Sequence, residues 1–196
     1  IIGTLTEKLK KEKDIEIIIV TGDMDMLQLI RSRVLVYAMK KGISDIVMYD
    51  EKAAKEKYGL PPSQLVDFKG LKGDPSDNIA GVKGIGEKTA TELIQTFGSI
   101  DAIYKSLKSG SKKISPAIAA KLREGEEDAK ISRELARIKT DMDIPFRLED
   151  TRWSGIGDGV HRILHTFGFF SLLNTILRNS LYQTHHVSDL ANHVLC

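Results

Sequence analysis

The sequence has little cysteine and no long apolar run. Its only cysteine is Cys196, so an intrachain disulfide and a cysteine-based zinc site are both excluded. No apolar run approaches the roughly 20 residues that a membrane-spanning helix needs, and no signal-peptide pattern is present. These absences predict a soluble, cytoplasmic protein without a membrane partner.

The sequence also lacks an excess of charge of either sign. Its 29 Lys and Arg residues nearly balance 27 Asp and Glu residues, which leaves a net charge of +2. Attraction to a polyanion would therefore have to come from local clusters of basic residues. One such cluster lies at 105–123, where six basic residues occur without an acid. A solvated helix face explains this cluster equally well.

The pattern of apolar residues divides the chain into an α/β part and a helical part. Apolar runs at 16–22, 33–39 and 45–50 predict strands, and the first has the pattern of a strand buried on both faces of a parallel sheet. After Pro61 and Pro62 the signals become short helices separated by glycine turns. Further along, 134–146 is predicted to be a strand and 159–177 a helix. The predicted divisions are an α/β core at 1–60, a helical module at 61–133, a return to the core at 134–178, and a linker or tail at 179–196.

Two pairs of aspartates are candidate metal ligands. Asp23 and Asp25 follow the first predicted strand, at the end where ligands collect in open α/β sheets. A role in capping the helix that follows would explain one of these aspartates but not both. Asp74 and Asp77 lie three residues apart in a turn, where Asp77 could instead serve only as a helix N-cap. Four converging carboxylates would repel each other unless cations bridged them. Oxygen ligands of this kind suit Mg²⁺ or Mn²⁺, and a pair of such ions is the usual device for phosphodiester cleavage.

The stretch "GVKGIGEKTA" at 81–90 is a candidate phosphate-binding turn. It does not fit the GxxxxGK[ST] loop, because Glu87 separates Gly86 from the lysine, and it does not fit GxGxxG. A hairpin remains, in which Gly84 and Gly86 allow positive φ and the helix beginning near Glu87 offers free N–H groups to a phosphate. The predicted DNA-binding residues are Gly81, Val82, Lys83, Gly84, Ile85, Gly86, Lys88 and Thr89.

Three stretches together resemble a known family. These are "VTGDMDMLQLI", "YGLPPSQLVDFKGLKGDPSDNIAGVKGIGEKTATELIQTFGSIDAIY" and "FGFFSLL". They are similar to the 5′→3′ exonuclease (flap endonuclease) domain of bacterial DNA polymerase I, over residues 1–178. The resemblance implies part of a PIN-like, parallel-sheet α/β nuclease core with a helix-three-turn-helix (helix-hairpin-helix) module, and action with Mg²⁺ on duplex DNA that has a 5′ flap or end.

The resemblance carries further implications. It implies that Asp23, Asp25, Asp74 and Asp77 hold a two-ion site and that the hairpin binds K⁺ through its carbonyls. It also implies a role in primer removal during DNA replication and repair, and polymerase domains in the same natural chain. The family's upstream half, with its first strand, helical arch and acidic cluster, has no counterpart here. A nuclease fragment that is nearly inactive alone is therefore expected, and a DNA-binding module without activity is the alternative.

Overall fold

The structure is a computed structural model that describes residues 1–39, 45–153 and 158–176. The chain forms two compact units, Ile1–Asp143 and Ile144–Cys196. Within the described ranges, no helix is both long enough and apolar enough to cross a bilayer. The predicted linker or tail at 179–196 lies outside them.

The first unit begins with a small α/β layer. Its elements are α1 (Ile2–Leu9), β1 (Ile17–Thr21), β2 (Val34–Met39), β3 (Ile46–Tyr49) and α2 (Glu51–Tyr58). A 3₁₀ helix, Met24–Leu29, connects β1 to β2 and buries Leu27 and Leu29 against the core. Asp50 caps α2 by accepting a hydrogen bond from the Ala53 N–H at 2.7 Å.

The three strands form one mixed sheet in the order β1-β2-β3. Strands β1 and β2 are parallel, whereas β2 and β3 are antiparallel. Only residues 40–45 separate β2 from β3, and a parallel pair would need a crossover of about a dozen residues or more. The predicted α/β class is confirmed, and the short connection explains why the sheet is not wholly parallel.

One face of the sheet is buried and the other is partly exposed. Ile17 and Ile19 are buried, but Val20 is 55% exposed, so the predicted burial of β1 on both faces is wrong. The register places Val20 beside Tyr37 and Tyr37 beside Met48, which is 54% exposed. These three side chains form an apolar row across the sheet, which no described element fully covers.

Five α-helices follow in the first unit, together with two short 3₁₀ helices, Pro62–Gln64 and Pro75–Asp77. The α-helices are α3 (Leu65–Lys72), α4 (Glu87–Phe97), α5 (Ile100–Lys108), α6 (Pro116–Glu124) and α7 (Glu126–Ala136). Ser99 and Ser115 cap α5 and α6 by accepting backbone hydrogen bonds. Helix α3 lies at the centre of this group, with Phe68 and Leu71 buried.

The strand predicted at 134–146 is wrong. Helix α7 continues to Ala136, and the described residues from 138 to 147 have no regular secondary structure. Side chains of the α/β layer hold this segment instead of a neighbouring strand. Gln28 Nε2 donates to the Ala136 carbonyl at 2.8 Å, and the Met142 N–H donates to Thr4 Oγ1 at 3.3 Å.

The second unit contains a 3₁₀ helix, Leu148–Thr151, and helix α8, Asp158–Thr166. Residues 170–176 are also helical. The single helix predicted at 159–177 is therefore interrupted. Gly168 has a φ of +72°, a left-handed conformation that ends a helix, and its N–H donates to the His165 carbonyl.

The packing around Gly70 provides a test of the helical module. A Cβ at Gly70 would lie 2.6 Å from Ile100 Cδ1 and 2.9 Å from Arg133 Cβ. Helix propensity favours alanine over glycine by about 1 kcal/mol, but overpacking costs ~1–3 kcal/mol. We expect Gly70→Ala to lower the free energy of unfolding by up to about 2 kcal/mol in urea denaturation. Because Ile100→Val removes Cδ1, the double variant should lose less than the sum of the two single variants. If the loss of stability in the double variant equals the sum of the losses in the two single variants, this account of the packing is contradicted.

Candidate metal centre and nucleic-acid interface

Asp23 and Asp25 lie in the turn that follows β1. The Asp23 N–H donates to Thr21 Oγ1 at 3.0 Å, and the Asp25 N–H donates to Asp23 Oδ1 at 2.8 Å. Asp23 therefore caps the 3₁₀ helix that begins at Met24, and one of its carboxylate oxygens already accepts a backbone hydrogen bond. The capping role considered from the sequence applies to Asp23.

Asp74 and Asp77 lie in a tight loop directly after α3. Asp74 and Ile79 exchange two backbone hydrogen bonds of 2.8 and 2.9 Å, which close the loop. Asp74 Oδ1 accepts from the Ser76 N–H at 3.1 Å and from Ser76 Oγ at 2.5 Å. Asn78 takes the left-handed conformation with a φ of +57°, so the chain turns back after Asp77.

Three of the four predicted ligands come together. Carboxylate oxygens of Asp25, Asp74 and Asp77 all lie within 4.8 Å of one another. Asp23 lines the same cavity of about 320 Å³ but does not belong to this group of three. The structure thus brings residues from two distant segments to one place, whereas the metal-binding role of the four aspartates stays a prediction.

Lys69 contributes a positive charge to this group. Its ammonium contacts the Asp25 carboxylate and donates to Asp74 Oδ2 at 2.7 Å. Hydrogen bonds from Lys69 and Ser76 lower the pKa of Asp74 from 3.8 to about 2. A group of carboxylate oxygens that already surrounds a cationic side chain fits a hard divalent cation such as Mg²⁺ or Mn²⁺.

Two aromatic or basic side chains beside the cavity were not found by sequence reasoning. Tyr58 lines the cavity and packs edge-on against Phe68, and burial raises the pKa of its hydroxyl, which keeps it protonated at neutral pH. Lys72 lines the same cavity and pairs with Glu87 at 3.2 Å. In the sequence, only the nearness of these two residues to Asp74 along the chain could have pointed to them.

The hairpin at 81–90 has the predicted form. Val82 and Ile85 are buried, and the Ile85 N–H donates to the Val82 carbonyl at 3.0 Å. Gly84 has a φ of +78°, as predicted, and helix α4 begins at Glu87. Gly86 has a φ of −91°, so its predicted left-handed conformation is wrong; the residue serves as the N-cap, which is in the extended region.

The exposed surface of the hairpin carries charge and free backbone donors. Lys83 and Lys88 are exposed, and no side chain caps the first turn of α4. The N-terminus of a helix in this state attracts phosphate through its free N–H groups and its dipole. Lys121 of α6 also reaches the turn, where its ammonium donates to the Gly84 carbonyl at 2.9 Å. Lys121 was not among the predicted DNA-binding residues.

The acidic loop and the hairpin share one backbone framework. The Val82 N–H donates to the Leu71 carbonyl at 2.8 Å, and the Gly81 N–H donates to the buried Oγ of Ser132 at 2.9 Å. Gly73 and Gly81 both have positive φ, and a Cβ on either would lie closer than 3.0 Å to backbone atoms of the other segment. These hydrogen bonds and close contacts hold the two segments against each other.

An α/β layer with clustered carboxylates at a strand end, joined to a glycine hairpin with exposed basic residues, is an arrangement suited to phosphodiesters. Comparison with known families is more specific. Residues 1–59 match the family described as "5'-3' exonuclease, N-terminal resolvase-like domain", and residues 60–158 match "5'-3' exonuclease, C-terminal SAM fold". The chain belongs to the 5′-3′ exonuclease family, which confirms the resemblance noted in the sequence.

Two relatives from Bacillus subtilis show the extent of the similarity. The chain is 39% identical to DNA polymerase I over 92% of its own length and 20% of the relative's length. It is 40% identical to a 5'-3' exonuclease over 76% of its own length and 48% of the relative's length. The chain thus spans about a fifth of the DNA polymerase I relative and about half of the exonuclease.

Solved structures show the same fold at lower identity. T5 5'-exonuclease with bound zinc superposes with a TM-score of 0.59 and 22% identity, over 69% of this chain and 47% of that one. The catalytic core of Rad2 in complex with DNA superposes with a TM-score of 0.52 and 19% identity, over 84% of this chain and 56% of that one. These likenesses confirm the predicted PIN-like nuclease fold class.

The low pKa of Asp74 predicts a pH dependence of stability. Since the pKa in the folded protein lies below the ordinary value of 3.8, the stabilisation is complete above about pH 5 and is lost as the pH falls toward 2. A shift of this size corresponds to about 2 kcal/mol. We expect the stability difference between wild type and Asp74→Asn to shrink by that amount between pH 5 and pH 2, in urea denaturation in metal-free buffer. A difference that stays constant over this range would contradict the assignment.

Proposed function

We propose that this chain takes part in the metal-dependent cleavage of DNA from a 5′ end or at a 5′ flap, as a 5′→3′ exonuclease and flap endonuclease. One observation carries the proposal. The loop that carries Asp74 and Asp77 is held to the hairpin at 81–90 by one backbone framework, and the Asp25 carboxylate lies beside both aspartates. Duplex DNA bound at the hairpin would therefore have a fixed position relative to the carboxylates. Fixed geometry of this kind is what phosphodiester hydrolysis requires.

The aspartates are proposed to bind the divalent ions. Asp25, Asp74 and Asp77 supply clustered oxygens, and Asp23 supplies the oxygen that its capping role leaves free. Bound Mg²⁺ or Mn²⁺ would lower the pKa of an attacking water and neutralise charge on the leaving oxygen. The turns of this chain orient the carboxylate oxygens toward the cavity. Tyr58, whose hydroxyl stays protonated, can donate a hydrogen bond into the same cavity.

The hairpin is proposed to bind the backbone of duplex DNA. Lys83 and Lys88 flank the turn, and the free N–H groups at the start of α4 can donate to a phosphate. Contacts of this kind read no base sequence. The K⁺ that the resemblance implies at the hairpin carbonyls remains a proposal, and such an ion would compete with the Lys121 ammonium for the Gly84 carbonyl.

The number of ligands bears on the activity of the chain by itself. Among the described residues, one group of three or more potential metal ligands occurs. The three carboxylates of this group suffice for one hydrated Mg²⁺, and even with Asp23 they supply few ligands for a second ion. We therefore propose that these 196 residues alone bind duplex DNA and cleave it slowly. The match to DNA polymerase I supports a setting in the bacterial cytoplasm, beside polymerase domains, in primer removal during replication and repair.

Cleavage of a 5′-flap substrate tests the catalytic proposal. We expect slow cleavage by the chain that depends on Mg²⁺ or Mn²⁺ and falls at least about a hundredfold in Asp25→Asn, since an ion ligand is lost. Lys52→Met, which changes an exposed residue of α2 outside the cavity, is the control and should keep wild-type activity. Cleavage that survives in Asp25→Asn would refute the proposed site. Duplex binding without any cleavage would favour the alternative, a DNA-binding module without activity.

DNA binding distinguishes the two hairpin glycines. Because Gly84 has positive φ, Gly84→Ala should distort the turn at a cost of ~1 kcal/mol and weaken duplex binding about fivefold. Gly86→Ala should stay within about twofold of wild type, since φ is negative and an added Cβ meets nothing within 4 Å. With two to three phosphates neutralised, wild-type affinity should fall about 10- to 40-fold between 50 and 200 mM salt. Fluorescence anisotropy with two duplexes of unrelated sequence measures the effect of each substitution and the effect of salt on affinity. Equal losses of affinity in Gly84→Ala and Gly86→Ala would contradict the proposed role of Gly84.

A further inference from the structure

Lys69 joins the two acidic segments of the cavity. It lies in α3, and its ammonium contacts Asp25 from the turn after β1 and Asp74 from the loop after α3. The side chains of Lys69, Asp25 and Asp74 are only 17 to 18% exposed, so water screens their charges incompletely. Within the described part of the chain, no other ion pair links these two segments.

The Lys69 ammonium lies among carboxylate oxygens that a bound metal ion would also contact. Three carboxylates within 4.8 Å of one another repel, and in the absence of a metal ion a cation must offset that repulsion. Lys69 uses oxygens of two of these three carboxylates. A divalent ion bound to the same oxygens would lie a few ångströms from the ammonium, where like charges repel strongly.

Lys72, which also lines the cavity, does not contact the acidic group as Lys69 does. Lys72 lies one turn further along α3 and lines the same cavity, but its ammonium pairs with Glu87 at 3.2 Å. Lys72 is therefore already neutralised outside the acidic group. The flexible stem of Lys69, by contrast, ends in a cavity of about 320 Å³, which leaves space for the ammonium to move aside.

We propose that Lys69 is an internal counter-ion that holds Asp25 and Asp74 together in the ion-free protein and is displaced when a divalent ion binds. Lys69 thereby sets the affinity of the site for the ion. The inference rests on the proposed function, because it requires that the site binds a divalent ion. It assigns two effects to Lys69: the ammonium stabilises the ion-free protein, and it weakens the binding of the divalent ion.

Calorimetric titration with Mn²⁺ and thermal unfolding test these opposite effects. We expect Lys69→Met to unfold at a lower temperature in EDTA and to bind Mn²⁺ about tenfold more tightly or better, since a unit charge close to the ion is removed. Lys69→Arg keeps the charge and should bind Mn²⁺ within about threefold of wild type. Lys130→Met removes the same charge from a salt bridge with Glu126 and Glu127 outside the cavity, and should leave Mn²⁺ affinity unchanged.

Asp74→Asn separates failure of this inference from failure of the metal site. If Asp74→Asn weakens Mn²⁺ binding while Lys69→Met leaves it unchanged or weaker, the counter-ion role is refuted and the site stands. If Asp74→Asn has no effect, the proposed site is wrong and the inference falls with it.

A measurement on the wild-type protein avoids any dependence on how the variants fold. The ¹⁵N resonance of the Lys69 ammonium, assigned by its loss in Lys69→Arg, should shift when Mg²⁺ is added. A resonance that does not move at saturating Mg²⁺ would overturn the displacement.

Discussion

The close approach of Gly73 to Gly81 is the constraint on which the arrangement of the site depends. Both residues have positive φ, and the space between their backbones excludes even a methyl group. This contact sets the acidic loop and the hairpin at 81–90 side by side, and Ser132 of α7 stabilises it by accepting a hydrogen bond from the Gly81 N–H. Since two glycines and one buried hydroxyl fix both functional segments, their relative position does not rely on flexible side chains.

Charges of both signs are distributed around that framework. The carboxylates of Asp25 and Asp74 meet Lys69 on one side, and Lys72 pairs with Glu87 at the first turn of α4 on the other. The hairpin presents Lys83 and Lys88 to solvent. Under the proposed function, duplex DNA contacts the basic groups of the hairpin with the acidic group close by, which suits a site where cations mediate between carboxylates and a phosphate.

Local sequence patterns predicted the residues whose role depends on their immediate neighbours. The aspartate pairs and the hairpin are continuous motifs, so their turns, the conformation of Gly84 and the start of α4 at Glu87 followed from the sequence. Lys69 and Ser132 could not be found in this way, because their significance arises only when α3 and α7 pack. The φ of Gly86 was predicted wrongly because Gly86 is the N-cap of α4, a position that requires an extended backbone. The ability of glycine to adopt positive φ is not used there.

The errors in the sheet and at 134–146 have a similar origin. An apolar β-branched run predicts a strand but does not say which of its faces will be covered, so the exposure of Val20 was not foreseen. Apolar residues at 134–146 predicted a strand, yet a strand also needs an edge with which to pair. Gln28 and Thr4 supply hydrogen bonds to that segment instead.

The apolar row of Val20, Tyr37 and Met48 has a consequence for how the protein behaves in different salts. Sulfate and phosphate strengthen the association of apolar surfaces because they are excluded from them, whereas any added salt weakens binding to DNA. The sheet face and the hairpin should therefore respond in opposite directions to the same ions. Chloride salts therefore suit studies of the hairpin, since sulfate would strengthen any apolar association of this row while it weakens binding to DNA.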